Sequence, residues 1–183
     1  TVGAGAELDM SGGASVHGTG SAGFASVQNA GSMVVSGGKA ILYVDLAPDG
    51  SFENNGTFSV GSGAHLRLES EDVTDSRGWS FNNSGMLTIS GDGAKFSTVT
   101  DCDQGSLTNT AKMSVEAGGK VDIAADLTTK DALQIINSST IFLKKGSFTN
   151  SGLVHVEYQS TLSAGAGFTN DILSDLDILD SST

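Results

Sequence analysis

The hydrophobic residues of this chain return in a fixed frame around an asparagine. Apolar side chains stand two residues before it and four, six and twelve residues after it, usually with a glycine at the second position after it. Five copies of this frame are centred on Asn29, Asn54, Asn83, Asn109 and Asn150. An apolar spacing of two residues is the period of a β-strand. The frame breaks at Asn-x-Gly and again at a later run of small residues, which favour turns. Each copy therefore predicts three short strands separated by corners.

One copy cannot bury its single apolar face, but stacked copies can. We therefore predict an all-β fold, a single-stranded right-handed parallel β-helix (β-solenoid) of about six coils with irregular loop insertions, over residues 1–183. The handedness follows from the general preference for right-handed crossovers. A flexible Gly/Ser linker would lack the regular apolar positions. A globular antiparallel sandwich would not need the same frame five times.

The recurring asparagine predicts a structural ladder. If it occupies the same corner of every coil, its amide can hydrogen-bond to the coils above and below, as amides do in stacked cross-β segments. The side chains expected in this ladder are Asn29, Asn54, Asn83, Asn109 and Asn150.

The spacing between copies predicts insertions that follow the third strand of a coil. The shortest interval, 20 residues from Asn150 to Asn170, is the expected length of a bare coil. The longer intervals place insertions at residues 69–80, 97–106 and 123–146, and insertions in repeat proteins often form the binding face. Residues 123–146 suffice for an additional irregular coil, although residues 129–136 could instead form a short helix. Residues 46–51, with Pro48, Asp49 and Gly50, predict a turn.

The ends of the chain depart from the frame. The chain begins inside a partial copy at Val2, so we expect it to be a segment of a longer repeat protein. Residues 171–183 keep apolar residues but lose the glycines, and their alternating aspartates would protect a strand edge. We expect this tail to be a C-terminal cap, with continuation into a further coil as the alternative.

Composition narrows the partners. The formal net charge is −12, which disfavours nucleic acid and an anionic membrane surface as partners. The sequence contains no signal peptide and no apolar run long enough to insert into a membrane. Cys102 is the only cysteine, which excludes a disulfide framework and a cysteine-based metal site.

Candidate chemistry is sparse. We find no catalytic motif, expect no enzymatic activity, cofactor or metal site, and predict that His65 and His155 point to solvent. The insertion at residues 69–80 combines acidic residues with an aromatic ring, as glycan sites do, and its candidate binding residues are Asp75, Arg77 and Trp79. Trp79 alternatively covers the core as a lid. Asp101 and Asp103 could hold Ca²⁺ with help from backbone carbonyls.

The Asn-x-Gly blocks, together with the Gly-Gly steps in residues 36–41 and 117–121, resemble the repeats of bacterial surface β-solenoids. These are the passenger domains of autotransporters and related adhesins. The resemblance covers most of residues 2–170 and implies secretion, display on the bacterial cell surface, and adhesion or self-association. It implies a host glycan or protein receptor, or a second copy, as the partner, and it carries over no catalytic residue.

The resulting expectation is an extracellular adhesin segment, a stiff stalk that mediates attachment or self-association through its loops. One alternative is a glycan-active β-helix enzyme of the polysaccharide lyase or hydrolase type, which would need carboxylates converging across adjacent coils. Another is a purely structural fibre or spacer. An ice-binding solenoid is less favoured, because no flat Thr-x-Thr array repeats in the sequence.

Overall fold

The computed structural model describes residues 7–10, 15–17, 24–70, 78–98, 105–171 and 173–179. In these residues every regular element is a β-strand, and all strand pairs are parallel. The chain forms a β-solenoid, which confirms the predicted fold class, while its handedness stays a prediction. Each coil has three faces, which we number in the order in which the chain meets them, so that face 1 ends at the recurring asparagine.

Face 2 is an eight-stranded sheet in the described part of the chain, and faces 1 and 3 together form a sheet of thirteen strands. The strands of face 2 are β1 (Glu7–Met10), β4 (Ser32–Val35), β6 (Thr57–Val60), β9 (Met86–Ser90), β12 (Met113–Glu116), β15 (Ala132–Ile135), β18 (Leu153–Val156) and β21 (Asp175–Ile178). Face 1 contains β3 (Phe24–Asn29), β8 (Ser80–Asn83), β11 (Gly105–Asn109), β14 (Ala125–Thr129), β17 (Ser147–Asn150) and β20 (Gly167–Asn170). Face 3 contains β2 (Ser15–His17), β7 (His65–Ser70), β10 (Lys95–Thr98), β13 (Lys120–Ile123), β16 (Thr140–Leu143) and β19 (Thr161–Ala164).

The long strand β5 (Ile41–Asn54) joins the two parts of the larger sheet. Its first residues pair with β7 on face 3 and its last residues pair with β8 on face 1. The turn predicted at residues 46–51 therefore takes the form of a bend within a continuous strand and does not interrupt it. The chain changes direction within β5, where Asp49 adopts a φ of 60° and its N–H donates to the Gly78 carbonyl at 2.9 Å.

The strand order defines six complete coils, from the coil that begins with β3 to the coil that begins with β17, with a partial coil at each end. Parallel strands lie about 4.8 Å apart, so the eight levels of face 2 extend for about 34 Å. Because the copies align without slippage, equivalent residues form columns along the axis, such as Val27, Phe52, Phe81, Leu107, Leu127 and Phe148 on face 1.

The interior is formed by the columns that the repeat frame predicts to point inward. The Phe52 ring stacks on Phe81 with centroids 4.8 Å apart and on Phe58 at 5.5 Å, and Phe81 contacts Phe96 at 5.3 Å. All four rings are fully buried. Aromatic pairs of this kind add about 0.5–1.5 kcal/mol each beyond the burial of their area, so the central coils carry a large share of the core.

Residues 123–146 form a regular coil. The strands β14, β15 and β16 supply its three faces, and each pairs with both neighbouring coils. The additional coil predicted as one alternative for residues 123–146 is confirmed, in regular rather than irregular form, and the helix considered for residues 129–136 is wrong. The coil departs from the frame at its first corner, because Thr129 and Asp131 replace the asparagine and the glycine.

The second corner uses glycine only in the N-terminal coils. Gly37, Gly63, Gly93 and Gly118 have positive φ there in the first four complete coils, whereas the last two place Asn137–Ser138 and Tyr158–Gln159 in the same left-handed region. Bulky residues rarely adopt this conformation. Packing of the coils on either side holds these corners in place, because Ser138 N–H donates to the Tyr158 carbonyl at 2.8 Å.

The tail adds a level to the solenoid. Strand β21 extends face 2 by pairing with β18, and β20 extends face 1 by pairing with β17. Phe168 occupies an inward position and contacts Phe148 at 5.0 Å, yet 48% of its surface is exposed. In the described part of the tail, the expected cap is thus a further strand layer in register with the coil below it.

Candidate functional site

The first corner holds a column of buried asparagine side chains. Asn29 Nδ2 donates to Asn54 Oδ1 at 2.8 Å, and Asn54 Nδ2 donates to Asn83 Oδ1 at 2.6 Å. Asn83 Nδ2 donates in turn to Asn109 Oδ1 at 2.7 Å. Asn29, Asn54 and Asn83 each also donate to a backbone carbonyl of the next coil, at 2.9, 3.0 and 3.2 Å. This pattern satisfies buried polar groups and links coils, so it is structural chemistry.

The ladder changes where Thr129 replaces asparagine. Asn109 Nδ2 donates to Thr129 Oγ1 at 3.1 Å, but the threonine hydroxyl donates to the Asp131 carbonyl at 3.3 Å, within its own coil. The amide pattern resumes with Asn150, whose Nδ2 donates to Asn170 Oδ1 at 2.8 Å.

Replacing Thr129 with asparagine should raise the free energy of unfolding by about 1 kcal/mol, because a second amide would continue the ladder from Asn109 to Asn150. Urea unfolding would measure the difference. Thr128→Asn, an outward position on the same strand, is the control and should change stability by at most about 0.5 kcal/mol. If Thr129→Asn and Thr128→Asn have equal free energies of unfolding, a continuous ladder is not a source of stability.

Trp79 lies in the core. Its side chain is 2% exposed, and no described residue accepts a hydrogen bond from its Nε1. The ring packs over Gly105, where an added Cβ would lie 2.2 Å from two ring carbons. The binding role predicted for Trp79 does not fit this burial, since a partner would meet almost none of the ring. The lid over the core is the role that the packing supports.

The other predicted binding residues, Asp75 and Arg77, lie outside the described residues, as do Asp101 and Asp103. The glycan site predicted for residues 69–80 and the Ca²⁺ site predicted at Asp101 and Asp103 therefore stay predictions. Among the residues that the structure describes, no three His, Cys, Asp or Glu side chains are grouped as a metal site would require.

The exterior of face 3 carries a concentration of cationic side chains that sequence reasoning missed. Two columns of outward side chains run along this face. In one column Lys95 is the register partner of Lys120, and in the other Arg67 lies two strands from Asp122. Lys144 follows at the end of β16. Asp122 contacts the Lys144 ammonium at 2.9 Å and the Lys95 ammonium at 3.5 Å. We call Arg67, Lys95, Lys120 and Lys144 the basic strip. The missed signal was the outward parity of these residues in successive copies.

A shallow cleft of about 480 Å³ lies on the basic strip. Its lining includes Lys95, Lys120, Asp122, Thr140 and Phe142. The Phe142 side chain is 41% exposed, on a strand that pairs with β13 on one side and β19 on the other. The cleft therefore combines ammonium groups, a carboxylate, a hydroxyl and an apolar ring on the exterior of a sheet.

His65 lies beside the basic strip, half-buried, with Nε2 2.7 Å from Ser97 Oγ. Burial, and then the charges of Lys95 and Arg67, lower the pKa of His65 to about 4. The predicted solvated histidine is therefore a packed one. Its lowered pKa also reports the positive potential of this face.

The folded protein should lose stability as the pH falls from about 6.5 to about 4. In that window the unfolded chain protonates His65 while the folded chain resists protonation, so the unfolded state is favoured. His65→Gln should flatten the slope of unfolding free energy against pH in that window, relative to the starting protein. His155→Gln is the matched control. An unchanged slope for His65→Gln would contradict the assignment.

His155 lies on the exterior of face 2 between two carboxylates. Its Nε2 is 2.8 Å from Glu157 Oε2, and its Nδ1 is 3.5 Å from Asp177 Oδ2. The contact with Asp177 joins β18 to β21, while Glu157 belongs to the same coil as His155.

In the part of the chain that the structure describes, no helix has the length and apolar character needed to cross a membrane.

The fold defines the class of the protein as a β-solenoid. Its inward side chains form the core, and its outward side chains form the surface. Residues 5–157 match the family described as hyphally regulated cell wall protein N-terminal. The chain belongs to this family. No curated protein and no solved structure matches the chain.

The family supports a cell-surface protein with a structural or adhesin-like role. It corrects the bacterial assignment, because it points to a fungal cell wall and not to an autotransporter of a bacterial outer membrane. The resemblance gave the wrong origin because it rested on the pattern of Asn-x-Gly blocks and Gly-Gly steps. Stacked coils need such a pattern in solenoids of any origin.

Proposed function

We propose that this chain is an attachment module of the cell wall, a stiff extracellular solenoid that mediates adhesion or self-association through its outer surface. The observation that carries the proposal is that inward-pointing and outward-pointing side chains of the strands have different roles. Inward side chains fill the core and the asparagine ladder, while the outward side chains of three flat faces are not needed to close it. Membership of a cell wall family gives this surface an external setting.

The insertion predicted at residues 69–80, between β7 and β8, remains part of the proposal, because insertions in repeat proteins often form the binding face. Contact through this loop, or through a face, would suit a glycan, a protein receptor or a second copy of the chain.

The test is attachment by display. The chain would be displayed on cells that do not adhere by themselves, and attachment to glycan surfaces, matrix proteins and cells displaying the same chain would be counted. We expect attachment in at least one arm. A second variant, with residues 71–77 replaced by a short Gly-Ser turn, separates loop contact from face contact. Absence of attachment in every arm, with the β-rich circular dichroism spectrum retained, would overturn the proposal.

A passive spacer is the second candidate function, and the continuous hydrogen bonding of the asparagine column favours it. A spacer needs only length and stiffness. Exchange of the whole solenoid for an unrelated one of equal coil number would leave attachment of the complete surface protein unchanged if it is a spacer, and would reduce attachment if it is an adhesive module.

We also propose that the segment acts without catalysis and without a cofactor. Asp122, a carboxylate in the face 3 cleft, is held by two lysines, and Glu157 and Asp177 are held by His155. These contacts suit structural ion pairs. The release of reducing ends from polysaccharides incubated with the purified chain would contradict this proposal.

A further inference from the structure

The basic strip stands out against the charge of the whole chain. The sequence has 21 acidic and 9 basic residues, yet four of the basic residues lie together on the exterior of face 3. Asp122 contacts both Lys95 and Lys144. Lys120 makes no ion pair with any described residue.

The arrangement has an energetic cost. Lys95 and Lys120 are direct partners in the parallel register of β10 and β13, so their side chains lie on adjacent strands about 4.8 Å apart. Like charges directly opposite each other destabilise a sheet. An anionic group bound between the two ammonium groups would remove this repulsion and form charge-assisted hydrogen bonds.

The apolar part of the cleft narrows the ligand. Phe142 lies two residues after Thr140 on β16 and is the register partner of Asp122, while Thr140 continues the column of Lys95 and Lys120. All five residues line the cleft. An exposed ring on a flat sheet suits the apolar face of a sugar ring, and the Thr140 hydroxyl suits its hydroxyl groups. A net charge of −12 repels long polyanions at a distance, which favours a thin chain that touches only the strip.

We propose that the basic strip and the Phe142 cleft bind a linear glycan that carries anionic groups. From Arg67 to Lys144 the strip spans four levels, about 14 Å along the axis, enough for a short run of sugar units. The anionic groups contact Lys95 and Lys120, and a sugar ring packs on Phe142. This deepens the attachment function proposed above and rests on it for the role of the outer surface.

Direct binding by calorimetry on the purified chain tests the site. The probes are a polygalacturonate oligosaccharide, an oligosaccharide with phosphate groups, a neutral malto-oligosaccharide and linear polyphosphate. We expect one or both anionic oligosaccharides to bind, with weakening as salt rises, and the two arms tell which anion is preferred. The neutral sugar and the ringless polyphosphate should bind at least about tenfold more weakly.

Matched variants place the ligand. Lys120→Ala should weaken the preferred oligosaccharide about tenfold, whereas Lys130→Ala, the same charge change at an exposed position of the first corner, should not. Phe142→Ala should weaken it about fivefold, whereas Leu153→Ala, an apolar side chain 48% exposed on face 2, should not. Circular dichroism would verify the fold of each variant.

Several results would overturn the inference. These are no binding of either anionic oligosaccharide, equal binding of polyphosphate, or equal effects of a strip variant and its control. Because binding is measured on the purified chain, this failure is distinguishable from failure of the attachment function. If cells that display the chain attach, but the purified Lys120→Ala variant binds the oligosaccharide as well as the starting protein does, the attachment function stands and the proposed site is wrong.

Discussion

Replacing Gly105 with alanine should destabilise the solenoid by about 3 kcal/mol. The new Cβ would lie 2.2 Å from two carbons of the Trp79 ring, and both residues are buried. A contact below 3 Å forces one group to move, and the indole cannot rotate away as a long flexible side chain would. Because Trp79 is the only tryptophan, its fluorescence during urea unfolding reports both the loss of stability and the displaced ring.

Gly38→Ala is the control for this substitution, because nothing lies within 4 Å of the Cβ that it would add. It should change stability by at most about 0.5 kcal/mol. Trp79→Leu provides a second check. In the double variant with Gly105→Ala the clash is relieved, so the two effects should fall short of additivity by about 1–2 kcal/mol. Strict additivity would mean that the glycine is needed for a reason other than the ring.

Asn83→Ala should cost about 3 kcal/mol, the second large effect. Asn83 donates to Asn109 Oδ1 and to the Lys112 carbonyl, and it accepts from Asn54 Nδ2. With alanine at position 83, Asn109 Oδ1 and the Lys112 carbonyl would lose a donor, and Asn54 Nδ2 would lose one of its acceptors. Unfolding in urea measures the cost.

Asn82→Ala is a stringent control, since it removes the same side chain one position away. Asn82 points outward and donates to Glu53 Oε1 at 2.8 Å across a partly buried surface. Its loss should cost no more than about 1 kcal/mol. Similar costs at positions 82 and 83 would show that the inward column has no special weight.

The fold could be predicted because stacking demands it. The apolar parity around Asn54 and its equivalents determines which side chains face inward, and the described structure follows that parity in six complete coils. The coil of β14 to β16 was harder to see, since Thr129 can accept from the ladder as asparagine does and Asp131 can form the corner without glycine. Leu127, Leu133, Ile135 and Ile141 kept the frame and could have revealed it.

The candidate site could not be predicted to the same degree. Outward positions do not have to satisfy any packing constraint, so their pattern across copies is weak, and the cleft beside Phe142 arises only when β10, β13 and β16 are aligned. The sequence predicts for Trp79 either a binding role, because large aromatic residues anchor partners, or a lid over the core. Its burial depends on the small Gly105 in the next coil, a contact that no local pattern encodes.

Because the coils are stacked in parallel register, the solenoid can lengthen greatly when a pulling force unfolds its coils. A coil of 20 residues, such as the one from Asn150 to Asn170, occupies about 4.8 Å of the axis when folded and about 70 Å when pulled straight. Coils peel from an end one at a time because each is bonded only to its neighbours. Single-molecule pulling should therefore show repeated extensions of about 65 Å or more, and one all-or-none rupture would contradict this. A wall-bound tether of this design would absorb a sudden pull by lengthening in steps before its attachment fails.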